Sequence, residues 1–161
     1  MQKLQKHGEI YGALKCLLLR EHDDTNSYFQ QIQNMEAHLK ERQNSEIWKE
    51  RQSKVVLPLL ESKVHDHLRN PADITEQFLQ HLIGVIDVNC FEIRGPDSGA
   101  MRGLYPKGAL LHHSCVANTA VAIDEHYQMK IYVNQDVKQG ETLTNCYTNV
   151  LLVSFSGNIK S

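Results

Sequence analysis

The chain changes character near residue 88, and this single switch limits the folds open to it. Before the switch, glutamine, glutamate, lysine and leucine dominate, and no proline occurs between Met1 and Leu57. Apolar residues recur there every three or four positions, the helical period. Beyond it, short alternating runs are separated by turn residues, the signature of strands. The pattern predicts an α+β protein in which a helical region feeds a small β-rich unit.

Within the helical part, residues 8–20 read as a first helix with Ile10, Leu14, Leu17 and Leu18 on one face. Asp23, Asp24, Thr25 and Asn26 supply capping and turn chemistry. A second helix carries Phe29, Ile32, Met35 and Leu39. A third segment from Ser45 holds Ile47, Trp48, Val55, Val56, Leu59, Leu60 and Val64, and Pro58 inside it predicts a kink or a division. Asn70-Pro71 makes a further break, with Pro71 suited to a helix's first turn. Ile74, Phe78, Leu82 and Val85 then form the clearest amphipathic stripe, which reads as core packing.

In the β-like part, Phe91-Glu92-Ile93 alternates and residues 94–99 read as a loop. Ala120–Ile123 and Met129–Val133 read as two strands joined through Asp124-Glu125-His126. Gln139-Gly140-Glu141 reads as a turn and Thr142-Leu143-Thr144 as a short strand.

Charge and composition narrow the function. A net charge of −2 with scattered lysine and arginine offers no clustered basic footprint, so direct nucleic-acid binding is not expected. No apolar run approaches the roughly 20 residues of a membrane-spanning helix, and the first residues lack a signal peptide's apolar core. The expected location is the nucleus or cytosol. Cys16, Cys90, Cys115 and Cys146 lie far apart with no C-x-x-C pair, which favours free thiols in a reducing compartment.

The stretch richest in chemistry runs from Gly103 through His112-His113-Ser114-Cys115-Val116-Ala117-Asn118-Thr119. Two histidines and a cysteine within four residues suggest a metal site. Zinc, however, takes about four ligands delivered as spaced pairs, and adjacent histidines cannot easily face one ion. On the residues alone, the reading is an ordinary loop with one buried histidine.

His112–Asn118 resembles the N-H-S-C-x-P-N signature of SET domains. Asp136-Val137-Lys138-Gln139-Gly140-Glu141-Thr142-Leu143-Thr144 is similar to that family's I-x-x-G-E-E-L-T turn and strand, with Tyr147 following at the expected distance. Asp87-Val88-Asn89-Cys90-Phe91-Glu92-Ile93 is similar to the asparagine-containing segment that precedes the signature. The helix around Glu46-Ile47-Trp48 looks like the helical insertion of arthropod proteins of the SET-and-MYND group. The resemblance covers most of residues 10–150.

The resemblance implies a helical insertion over 1–87, a SET core with a knotted loop over 88–150, and a divergent tail over 151–161. It implies transfer of a methyl group from S-adenosylmethionine to lysine on a protein substrate, histone or non-histone. Asn89, His112, His113 and Asn118 become cofactor-side candidates, with Asn89 toward the methionine portion and His113 toward the adenosine portion. Asn118 alternatively supports the knot. Tyr147 matches the tyrosine whose hydroxyl orients the lysine amine; without the motif it reads as a half-buried tyrosine at a strand end. Cys115 matches the signature cysteine of a post-SET zinc cluster whose partner cysteines are absent from these 161 residues, so no metal is expected. His112 and Ala117 stand where the signature has asparagine and proline. A G-x-G strand segment, a MYND module and a C-x-C-x-x-C run are likewise missing. The resemblance therefore implies a partial chain, and it leaves open a non-catalytic protein-contact module or truncated isoform acting in transcriptional regulation.

Overall fold

The computed structural model describes residues 8–25, 27–95 and 99–147. It forms two compact units that divide between Cys90 and Phe91. Helices make the first and short strands the second, the α+β composition expected. Asn26, the centre of the predicted 94–99 loop and the 151–161 tail lie outside the described residues.

In the first unit, helix α1 (Gly8–His22) begins with Glu9 and ends with Arg20 and His22, charges that suit the two ends of its dipole. It buries Ala13, Cys16 and Leu17, whereas Leu18 is exposed. The face is rotated from the expected one because α1 packs closely on helix α6 (Glu76–Asn89). Gly12 lies on this contact, with its Cβ direction facing Ile86 Cδ1 at an ordinary packing distance of 3.6 Å. Asp23 then caps helix α2 (Ser27–Gln33), accepting from the backbone N–H of Tyr28 at 2.7 Å and of Phe29 at 2.9 Å. The Phe29 bond in particular holds the Asp23 carboxyl below its ordinary range.

The predicted second helix is broken. After α2 the chain leaves helical geometry, His38 adopts φ 46°, and a short helix α3 (Leu39–Arg42) follows. The break lets Ala37 pack against α6 at Gly84, where an added Cβ would stand 2.7 Å from the Ala37 carbonyl oxygen. Helix α4 (Glu46–Arg51) is capped by Ser45 Oγ, which accepts from Trp48 N–H at 3.2 Å. A π-helical turn (Gln52–Val56) then leads into helix α5 (Leu57–Glu61). Pro58 explains it: proline cannot donate the N–H of a regular turn, and a wider turn ahead of it absorbs that loss without ending the helix. Pro71 opens a 3-10 turn, as its position predicts.

Helix α6 is the core of this unit. Thr75 Oγ1 accepts from Phe78 N–H at its start, and Leu79, Leu82, Ile83 and Val85 are buried along its length. Full burial contributes about 1.5–3 kcal/mol for each large aliphatic side chain. Gln80, also buried, is held by donating to Trp48 O at 3.3 Å and Gln52 Oε1 at 2.7 Å. Near its end, Asp87 accepts from Arg42 Nη2 at 2.8 Å and Arg51 Nε at 3.0 Å. Both arginines are buried, and Arg51 also pairs with Glu9.

Strand β1 (Cys90–Gly95), which starts at the last residue of the first unit, pairs with β2 (Gly99–Leu104) of the second. Strand therefore occupies Arg94, Gly95 and Gly99, which read as loop in the sequence. Strand β3 (His112–His113) pairs in parallel with β6 (Thr144–Asn145), in the register His112 to Thr144 and His113 to Asn145. Between them in sequence, β4 (Thr119–Ile123) and β5 (Met129–Val133) form the expected antiparallel hairpin. Its turn is held by Asp124 Oδ1, which accepts from His126 N–H at 3.0 Å and Gln128 N–H at 2.9 Å. The turn before β6 also matches, closed by Glu141 N–H to Lys138 O at 3.0 Å with Gly140 at φ 86°.

Candidate active site

The loop after β3 is tied to β6 by one buried side chain. Asn118 is 4% exposed. Its Oδ1 accepts from Thr144 N–H at 2.7 Å and Thr144 Oγ1 at 3.2 Å, and its Nδ2 donates to Thr142 O at 3.0 Å. Its own N–H donates to Thr144 Oγ1 at 3.1 Å. Thr119 Oγ1 adds a bond to Thr144 O at 2.7 Å. A carboxamide has few remaining valences after such use, so Asn118 in this arrangement pins the chain rather than facing solvent.

That pinning, with the β3–β6 pairing, brings His113 and Tyr147 together. Tyr147 N–H donates to His113 Nδ1 at 3.1 Å, and the two rings lie 5.3 Å apart at 45°. Because Nδ1 accepts, the proton of a neutral His113 sits on Nε2, which faces Cys115 Sγ at 3.6 Å. The Tyr147 hydroxyl donates to the carbonyl of buried Leu111 while the residue stays 56% exposed. The phenol hydrogen is thus committed, and the oxygen's lone pairs remain to accept.

His112 lies in β3, its N–H bonded to Leu143 O at 3.3 Å, and both histidines are exposed. The buried histidine expected of this loop is not found, because a two-residue ladder leaves both imidazoles at the surface. Tyr147 lies just past β6 and is more exposed than a half-buried strand-end residue. Cys115 is exposed, and among the described residues no group of three or more histidine, cysteine or acidic side chains could hold a metal ion.

Asn89 belongs to the first unit, at the end of α6. Its Nδ2 donates to Glu36 O and Val85 O, each at 2.8 Å. Both amide hydrogens are spent there, and Oδ1 has no partner among the described residues.

Leu111 and Thr144 are the participants the sequence reading missed. Leu111 acts through a backbone carbonyl, which no side-chain pattern reveals. Thr144 lay within the predicted 142–144 strand, but nothing in its spacing marked it as Asn118's partner.

The SET domain family matches residues 5–148 of the chain. Among curated proteins, the SET domain-containing protein SmydA-8, isoform A, of Drosophila melanogaster is 27% identical over 84 residues, covering 50% of this chain. The match spans only 18% of that relative's own length. With signature loop, turn and tyrosine in order and the family match running nearly end to end, the chain belongs to the SET domain family.

Proposed function

We propose that the chain belongs to an S-adenosylmethionine-dependent protein-lysine methyltransferase of the SET-and-MYND type. The observation that carries the reading is the state of Tyr147. Its hydroxyl hydrogen is given to the Leu111 carbonyl, so the part-buried oxygen meets an incoming amine only as an acceptor. A lysine amine donating N–H to that oxygen is oriented with its lone pair directed away from the ring. In-line displacement needs little more from a protein than such positioning and the exclusion of water.

The residues present fit the cofactor in kind. Taken unit by unit, Asn89 Oδ1, which has no partner among the described residues, is an acceptor of the kind an ammonium needs, and the exposed His112 and His113 rings are of the kind an adenosine moiety needs. Asn118 supports the loop, including its knotted passage, rather than touching the ligand. When bound, S-adenosylmethionine would supply an electrophilic methyl group on sulfur. The division into an insertion over 1–87, a SET core over 88–150 and a tail over 151–161 belongs to this reading. So do a histone or other protein-lysine substrate, a role in transcriptional regulation, and a nuclear or cytosolic location.

A second reading, a non-catalytic SET-like module acting through protein contacts, is favoured by His112 and Ala117 in place of the signature's asparagine and proline. Calorimetric titration of S-adenosylmethionine into the purified chain separates the two. The methyltransferase reading expects micromolar binding, weakened at least about tenfold by Asn89→Ala, with circular dichroism confirming that both proteins are folded. A folded chain that takes up no cofactor leaves the protein-contact reading.

A further inference from the structure

Strand β5 carries an edge that nothing described in this chain covers. In the β4–β5 register, Ala120 stands opposite Tyr132 and Ala122 opposite Lys130. Bonds from Asn134 N–H to Asn118 O and from Asp124 N–H to Gln128 O, both 3.1 Å, fix the phase of the ladder. Antiparallel ladders alternate between hydrogen-bonded and non-bonded pairs. The backbone groups of Lys130 and Tyr132 therefore face β4, and those of Met129, Ile131 and Val133 face outward. Among the described residues β5 has β4 as its sole strand neighbour, and none of these three outward N–H and C=O pairs has a partner.

The side chains of this edge are also open. Ile131 is 39%, Tyr132 53% and Val133 57% exposed. Native proteins guard such edges with outward charges, proline or bulges. Here the strand has one charge, Lys130, and its ammonium is drawn to Asp124 Oδ2 at 3.2 Å.

We infer that β5 is a self-pairing edge, which docks antiparallel on β5 of a second copy of this chain and joins two hairpins into one four-stranded sheet. The register selects the occupant. A two-fold axis through Ile131 sets Met129 opposite the partner's Val133, and Ile131 opposite its own copy. The outward backbone groups of each strand then meet outward groups of the other. It also sets Lys130 opposite the partner's Tyr132, whose ring and lysine stem are compatible neighbours, so no like charges face. Sliding one way by the smallest step that keeps backbone groups facing sets Lys130 against its own copy, and like charges directly opposite destabilise a sheet. Sliding the other way takes Met129 out of the apolar pairing and sets it against Gln135. The Ile131-centred register alone pairs all five residues without charge conflict. Being two-fold, it consumes both edges and closes at two copies.

Sedimentation equilibrium of the 161-residue chain over a range of concentrations tests this, with two substitutions at one exposed position. Tyr132→Lys places lysines opposite each other across the axis and should convert the dimer to monomer. Tyr132→Glu places a carboxylate opposite Lys130 and should leave dimerisation intact or stronger. A chain that stays monomeric at every concentration, or two variants that behave alike, overturns the inference. Amide exchange of the unaltered chain gives a check that needs no variant. Met129, Ile131 and Val133 should exchange at least about tenfold more slowly as the dimer forms, through protection of newly bonded amides. Protection already present in the dilute monomer means the edge is covered within one chain, and overturns the proposal.

Discussion

Tyr147 is held at two points: its backbone N–H donates to His113 Nδ1 at 3.1 Å, and its hydroxyl donates to the Leu111 carbonyl. Leu111 and His113 flank the first residue of β3, so one short strand presets both the backbone and the ring of the tyrosine. The phenol is oriented before any ligand arrives, which is the condition for a positioning group to act without reorganisation.

Replacement of that phenol isolates its role. On the proposed function, Tyr147→Phe lowers the methyl-transfer rate by about a hundredfold or more, a loss of the size seen when one transition-state hydrogen-bonding group is removed. Cofactor affinity is unchanged. Rate measurement on a peptide substrate, alongside calorimetric binding, checks both halves. A parallel loss of cofactor binding would show that the hydroxyl serves the ligand pocket instead.

Asn118→Ala removes one donor and two acceptor contacts from the clasp on Thr142 and Thr144. At about 1 kcal/mol for each hydrogen bond, with buried groups left unsatisfied, the second unit should lose about 3 kcal/mol. Hydrogen exchange should report this first at the Thr144 amide, whose acceptor is the Asn118 side chain.

The Asp87 cluster gives a sharper test in the first unit. Asp87→Ala strands the buried Arg42 and Arg51 guanidiniums without their shared carboxylate. Breaking a buried ion pair from one side costs about 3–5 kcal/mol, measurable as a lowered urea midpoint. Replacing Asp87, Arg42 and Arg51 together with leucine or methionine should cost less than the single change, because it leaves no buried charge.

Cys16 supplies a pH dependence. Burial pushes its thiol from 9.0 up to about 11, with the Cys90 thiol adding to the shift. The folded state thus disfavours the thiolate. Its contribution to stability is complete below pH 9 and is lost as pH rises from there through about 11. Urea unfolding across that range should show falling stability that Cys16→Ala abolishes. At pH 8, exposed Cys115 should react with a thiol reagent well before buried Cys16.

Much of this architecture was legible because periodicity reports a face. The stripe Ile74, Phe78, Leu82 and Val85 found α6, and the alternation of Met129, Ile131 and Val133 found β5. The turns at Asp124 and Gly140 were legible for another reason: a side-chain acceptor or a positive φ restricts which residue can occupy the position. The break before His38 was not legible. Phe29, Ile32, Met35 and Leu39 keep helical spacing straight through it, and the break goes with tertiary contacts: Ala37 packed on Gly84 and the Glu36 carbonyl taken by Asn89 Nδ2.

The site divides in the same way. The sequence by itself determined the family, the order of its motifs and the candidate residues, since those rest on residue identity and spacing. Tertiary structure alone decided what each candidate does with its hydrogen bonds. A two-residue strand such as β3 or β6 is too short to show a period, and its parallel pairing joins residues more than thirty positions apart. That pairing, with Asn118 turned inward on Thr144 and Tyr147 turned onto the Leu111 carbonyl, depends on which backbone groups meet across the fold, and backbone groups are the same at every residue of the sequence.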